Sequence, residues 1–232
     1  MANALISGVI EDLRQTLLEL HNSQRLSRLV YDLLSEKNHL ETLADALLSR
    51  RKHTHGNLQF ELVTMKAIAG SDFPFVRILF KEDVTKIRRM KLRAFLGHRF
   101  LPHIIQPLRF NLARICDPYG IRLNIAGQEA ASEPLFADII KKLRSSDFAI
   151  FDNRETETKP NVYIEIGMSY VLGLPFIVCD YRDPNRPEFD PLPSDLSGFL
   201  TLRYSDYKSL ATELALKLPL FVYQRVRPAK RK

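Results

Sequence analysis

Glu165 is the residue with the most to explain. It lies in the run Asn161-Val162-Tyr163-Ile164-Glu165-Ile166-Gly167-Met168, where it is the only charged side chain and stands between two isoleucines. Near the start of a helix, backbone N–H groups and the macrodipole favour the ionised form of a carboxylate. Cleavage of an N-glycosidic bond passes through a sugar with oxocarbenium character. A fixed anion beside the anomeric carbon is the group such chemistry needs, as nucleophile or as cation stabiliser. The same dipole enriches ordinary helix starts in Glu, so spacing alone leaves both readings open.

Other residues fit around it as binding groups. Asp152 closes an apolar strand, where it can hold a sugar hydroxyl or cap its own loop through nearby backbone amides. Asn161 can bind ligand or cap the helix it opens, and capping is the commoner use. Gly97, His98 and Arg99 follow another short apolar strand, so that a backbone turn and a cation can face a phosphate, with Arg99 suited to a pyrophosphate. His98 serves equally as a loop anchor. Arg154 and Lys159 flank the loop after Asp152 as surface charges, and Glu155 and Glu157 in the same loop oppose a phosphate placed close to it. No GxGxxG or Walker pattern occurs, which weakens dehydrogenase and NTPase readings. Cys116 and Cys179 lack metal-ligand spacing and read as buried thiols, while His21, His39, His53 and His55 read as surface histidines. Neither a metal nor a resident cofactor is expected.

These residues need elements to position them, and from residue 93 the sequence alternates strand and helix. Strands are expected at Ala94–Leu96, Ile121–Ile125, Phe148–Phe151, Pro175–Cys179 and Phe199–Arg203. The helices between and after them are expected at Ile104–Cys116, Glu133–Leu143 with Ser132 as N-cap, from Pro160 and Asn161 onward, and Ser205–Leu218. Such alternation implies a parallel sheet with helices on both faces. Ligands then bind beyond the carboxyl ends of the strands, where the loop from Asp152 to Pro160 delivers Glu165.

The pattern of a strand ending in Asp152, a variable loop, then Pro160, Asn161, Val162, Tyr163, Glu165 and Gly167, and a Leu172-Gly173-x-Pro175 strand resembles the TIR-like and nucleoside 2-deoxyribosyltransferase-like superfamily. A second match is Phe95-Leu96-Gly97-His98, similar to the first strand and loop of the TIR-like branch. The resemblance spans roughly residues 92–220. It implies a flavodoxin-like strand order of 2-1-3-4-5, Glu165 as the catalytic residue and Asp152 within the active site. It also implies hydrolysis of the nicotinamide–ribose bond of NAD as a prokaryotic defence effector, NAD being substrate rather than cofactor. Deoxyribosyl transfer between nucleosides is the alternative, and a non-catalytic nucleotide-sensing or assembly module is a third.

Upstream, Leu5 to Leu20 and Leu26 to Leu47 repeat at helical spacing and read as two antiparallel helices. Phe60-Leu62 and Val76-Ile78-Phe80 alternate as two strands about a Gly70–Pro74 turn. The expected organisation is a helical hairpin (1–52), a β-rich connector (53–91), a TIR-like domain (92–224) and a basic tail (225–232). A hairpin cannot bury both apolar faces alone, so it packs within the chain, or else on a second copy or a partner protein. The net charge of +7 gathers at Arg50–Lys52, Lys86–Arg93 and the tail. Nucleic acid could be attracted there, but no aromatic interleaving accompanies the charge and a solvated surface is favoured. Neither a leader nor a spanning segment is read, which points to a cytoplasmic protein without membrane contact.

Overall fold

Leucines at helical spacing and a small antiparallel sheet build the first part of the chain, and parallel strands rich in buried apolar residues build the second. The computed structural model describes residues 2–67, 70–98, 102–125, 135–154, 161–183, 185, 196 and 198–226. The chain divides into two units, Met1–Thr85 and Lys86–Lys232.

In the first unit, helices α1 (Ala2–Asn22), α2 (Arg28–Ser35) and α3 (Lys37–Arg50) precede strands β1 (Lys52–His55), β2 (Leu58–Met65) and β3 (Phe73–Phe80). The second helix of the expected hairpin is thus two helices. Leu34 and Leu40, both buried, are six residues apart and in one continuous helix would point about 120° away from each other. Leaving helical geometry at Glu36 (ψ 139°) lets both face inward, and Ser27 caps α2 by accepting from the Val30 N–H. The strands form their own antiparallel sheet in the order β1-β2-β3. Glu61 and Arg77 lie opposite each other in it as a buried ion pair, with Lys52 on the other Glu61 oxygen at 2.9 Å. Leu13, Leu17 and Leu20 of α1 and Leu40, Leu43 and Leu47 of α3 are buried, α1 packing on α3 and β3, so these helices spend their apolar faces within their own unit.

Helix α4 (Lys81–Met90) crosses into the second unit, carrying part of the basic run on a helix that the sequence reading did not identify. There follow β4 (Arg93–Gly97), α5 (Pro102–Cys116), β5 (Arg122–Ile125), α6 (Leu135–Arg144), β6 (Phe148–Asn153), α7 (Asn161–Val171), β7 (Phe176–Tyr181), β8 (Thr201–Tyr204) and α8 (Tyr207–Arg225). The five strands are parallel and ordered β5-β4-β6-β7-β8. This is the 2-1-3-4-5 order of a flavodoxin-like doubly wound sheet. On one face Phe95, Ala149, Phe151, Phe176 and Val178 pack against Ile139 and Leu143 of α6 and Val162 and Ile166 of α7. On the other, Phe148 meets Phe221 of α8 edge-on at 5.8 Å. Helix α8 runs seven residues past its expected end at Leu218, straight through Pro219. Burial of Pro219, Phe221 and Val222 offsets the lost backbone hydrogen bond. Ser132 and the basic tail beyond Val226 lie outside the described residues.

Candidate active site

The sheet changes direction at β4. From β4 the chain moves outward to β5, and the next strand, β6, returns on the other side of β4. The crevice this leaves at the carboxyl ends of β4 and β6 is where open α/β sheets bind ligands. Gly97, the last residue of β4, and Phe151, two residues before the end of β6, form the last register pair between the two strands. A Cβ added to Gly97 would collide with both Glu165 Oε2 and the Phe151 ring, closer than any real Cβ contact. Only glycine therefore lets the Glu165 carboxyl lie against the end of β4. Sequence position suggested that Glu165 reaches this edge, and the structure puts it beside Gly97.

The expected ionisation state of Glu165 does not hold. The side chain is 4% exposed, Oε2 has no hydrogen-bond partner among the described residues, and burial pushes its pKa up to about 8. Glu165 is the fifth residue of α7 and turns inward toward Phe151 and Gly97 rather than toward the first-turn N–H groups. Helix-dipole stabilisation falls off beyond the first turn, so desolvation wins. At neutral pH the resting carboxyl keeps its proton.

Beyond Phe151 on the same face, by strand alternation, come Asn153 and its register partner Asp180. Asn153 Nδ2 donates to Asp180 Oδ1 at 3.0 Å, and Arg182 Nη2 lies 2.7 Å from Asp180 Oδ2. Asn153 Oδ1 is buried without a partner among the described residues.

Asp152 faces the opposite way and meets a different environment. Its Oδ1 accepts a short hydrogen bond from the Tyr204 hydroxyl, to which Arg154 Nη2 also donates at 3.2 Å. The Arg154 guanidinium lies 4.0 Å from the Tyr181 ring centre and 5.1 Å from that of Tyr207. Burial raises the Asp152 pKa to about 6 against the opposing pull of Arg154 and the Tyr204 hydrogen bond, with Asp180 adding to the rise. Arg154, read from sequence as a surface charge, is 6% exposed; its tyrosine cage explains how the cation is tolerated there.

His98 is buried, and its Nε2 accepts from Arg109 Nε at 3.3 Å. Asn161 is exposed at the first position of α7. Arg99 lies outside the described residues, as do Glu155, Glu157, Lys159 and Pro160. The structure thus brings Glu165 and Gly97 together and turns Asp152 to the other face of the sheet. Among the described residues no cluster of three or more His, Cys, Asp or Glu could hold a metal ion, and no helix is long and apolar enough to cross a membrane.

No protein-family model matches this chain, and no curated protein matches it in sequence. Among solved structures it is similar to a CMP N-glycosidase of Clostridium botulinum, with a TM-score of 0.41 and 15% identity over 53% of this chain and 98% of that one. It is also similar to a 2-deoxyribosyltransferase of Bacillus psychrosaccharolyticus, with a TM-score of 0.38 and 12% identity over 51% of this chain and 90% of that one.

The sequence reading passed over Asp180, Tyr204, Arg109 and the burial of Arg154. Asp180 carried a usable signal, since like Asp152 it is a carboxylate directly after an apolar strand. Tyr181, Tyr204 and Tyr207 carried none, because only the parallel register of β7 and β8 and the turn into α8 bring them round Arg154.

Proposed function

We propose that the chain cleaves N-glycosidic bonds of nucleotides, with Glu165 as the reacting carboxyl and NAD as substrate. The observation that carries this is a buried carboxyl with an unpartnered oxygen, set at the crevice of a doubly wound sheet where a glycine makes room for it. Such a carboxyl has no structural debt to discharge, unlike Glu61, whose cationic partners satisfy it.

The chemistry follows from charge. The nicotinamide ring of NAD is cationic, and its arrival would favour loss of the Glu165 proton to solvent. As the bond from C1′ to the ring nitrogen breaks, its electron pair goes to nitrogen and nicotinamide leaves neutral. The positive charge moves to the sugar, where the Glu165 anion attacks or stabilises it. Water then adds hydroxide to C1′ and releases a proton. Arg99 keeps the pyrophosphate role its sequence position implies, and a part in prokaryotic defence belongs to the same reading.

The raised pKa of Glu165 favours a second reading. A nucleoside or nucleotide whose base is neutral needs a proton on the base as it leaves, and a carboxyl protonated at neutral pH can supply it, for hydrolysis or for transfer to another base. The two readings predict opposite pH profiles. For NAD, kcat/KM should rise with pH and level off above about 8, because the anion reacts. For a neutral base it should fall as pH rises through about 8, because the acid reacts. Measured base release across that range separates them; release from nucleosides with NAD left intact overturns the NAD assignment, and tight nucleotide binding without release from any substrate leaves a sensing module.

A further inference from the structure

The amino edge of the parallel sheet sets two like charges side by side. Arg93 and Arg122 are the first residues of β4 and β5, and they are register partners. Neighbouring strands lie about 4.8 Å apart, and residues paired in parallel send their side chains to the same face. That face is the one α6 covers, because Phe95, two residues after Arg93, packs there. Like charges in this position repel.

The fold brings further cations to the pair. Asn124, two residues after Arg122, donates through Nδ2 to Ser145 Oγ at 3.3 Å and to Ser146 Oγ at 3.0 Å, and the Asp147 N–H donates to Arg93 O at 2.8 Å. These bonds hold the end of α6, with Lys141 and Arg144, beside the two strands. Arg88 Nε donates to Pro118 O at 2.6 Å, just ahead of β5, which brings the last turn of α4 with Arg89, and Lys91 after it, to the same edge. Arg93 is half-buried, and Arg89, Lys91, Arg122, Lys141 and Arg144 are exposed. Among the described residues none of these six stands in an ion pair. Cations elsewhere do: Lys52 lies on Glu61, Lys66 on Asp72, Lys142 on Asp138 and Lys217 on Glu213. Lys141 and Arg144 also complement the carboxyl end of α6. Arg93 and Arg122 start strands and have no helix end to complement.

We propose that this edge binds the phosphate backbone of nucleic acid. An anion between Arg93 and Arg122 turns their repulsion into a shared attraction. The cations lie along an edge built by two helices and two strands, a layout that follows a repeating phosphate backbone, whereas a single phosphate would be enclosed. Leu92, Ala94 and Ile121, the apolar residues beside the pair, are buried, so the attraction is electrostatic; a membrane surface normally takes exposed apolar side chains as well. Contacts of this kind position a nucleic acid without reading its bases. The sequence keeps Arg93 far from Arg122 and Arg144, and only the parallel register joins them. The edge is at the opposite end of the strands from Glu165, so the proposal stands apart from the glycosidase reading.

Fluorescence anisotropy of the full chain with a labelled duplex DNA, and with a labelled single-stranded RNA of equal length, tests it. The wild type should bind at least one of them, with affinity falling as salt rises. Binding to only one supports the proposal and names the source of the backbone. Arg93→Gln combined with Arg122→Gln should weaken binding about tenfold at low salt and lower the slope of log affinity against log salt by about two. The melting temperature should not fall, since a repulsion is removed; a pair with only a structural role would lower it and leave the slope unchanged, which overturns the proposal. Lys230→Gln with Arg231→Gln and Lys232→Gln, in the basic tail, is the control. Binding lost in the tail variant but kept in the Arg93 and Arg122 variant overturns the proposal in favour of the tail. Binding to neither oligonucleotide overturns it as well, and capture by phosphatidylserine vesicles in that case assigns the edge to a membrane.

Discussion

Two acids lie buried at the carboxyl edge of one sheet, and their surroundings differ. Asp152 has a tyrosine hydroxyl on one oxygen and a caged guanidinium nearby, which limit the rise of its pKa to about 6. Glu165 lies against Gly97 and the Phe151 ring, has no compensating cation among the described residues, and has a pKa pushed up to about 8 by burial. A structural acid is surrounded by groups that compensate its charge, whereas an acid kept for chemistry is left for a substrate to compensate. The proposed function assigns the Asp152 cluster to holding the ends of β6 and β8 in place and Glu165 to the reaction, although Asp152 too keeps one buried oxygen without a hydrogen-bond partner among the described residues.

The largest expected effect breaks the compensated side. Arg154→Ala removes the cation that balances Asp152 and empties a cage of three tyrosine rings. Chemical denaturation should show a loss of about 3 kcal/mol; a loss within experimental error would mean that the cluster is not a structural pair.

Next is the glycine that makes room for the acid. Gly97→Ala places a methyl where Glu165 Oε2 and the Phe151 ring now lie. The methyl meets both groups too closely, so the carboxyl and the packed Phe151 ring must both shift. Base release should fall roughly 100-fold, with a stability loss of about 1–3 kcal/mol from overpacking against the Phe151 ring. Wild-type turnover in this variant would detach Glu165 from its position beside β4.

These contrasts also mark how far the sequence could be read. Alternation of apolar strands and helices was enough for the doubly wound sheet, because a strand such as Phe148–Asn153, buried at every position, declares itself. Glu165 was legible for a related reason, as the one charge in an apolar helix. Its protonation was not, because helix position argues for the anion and only the side chain's inward turn reveals the desolvation that overrides it. The opposite orientations of Asp152 and Glu165 were equally hidden: strand parity depends on where β6 starts and which helix covers which face. In the first unit the break at Glu36 escaped because local periodicity on each side of it is intact, and only the phase between Leu34 and Leu40 betrays it.

A smaller effect concerns stability and pH. Between the ordinary carboxyl value of 4.5 and about 8, the folded chain holds a proton on Glu165 that the unfolded chain releases, so this residue lowers stability as pH rises across that window. Glu165→Gln removes the dependence. Its melting temperature should exceed wild type on the order of 5 °C at pH 8 and approach it as pH falls below 4.5, under the window. Equal melting temperatures at both pH values would show that Glu165 is solvated or partnered in solution.

The proposed function depends on Glu165 as the reacting group, and the most direct test is base release from NAD by purified wild-type protein and Glu165→Gln under identical conditions. Gln keeps the volume and hydrogen-bonding capacity and removes the ionisable group. The predicted result is nicotinamide release by the wild type and a loss of roughly 1,000-fold or more in the variant, with the fold intact by circular dichroism. A correctly folded Glu165→Gln protein that releases base at the wild-type rate would contradict it.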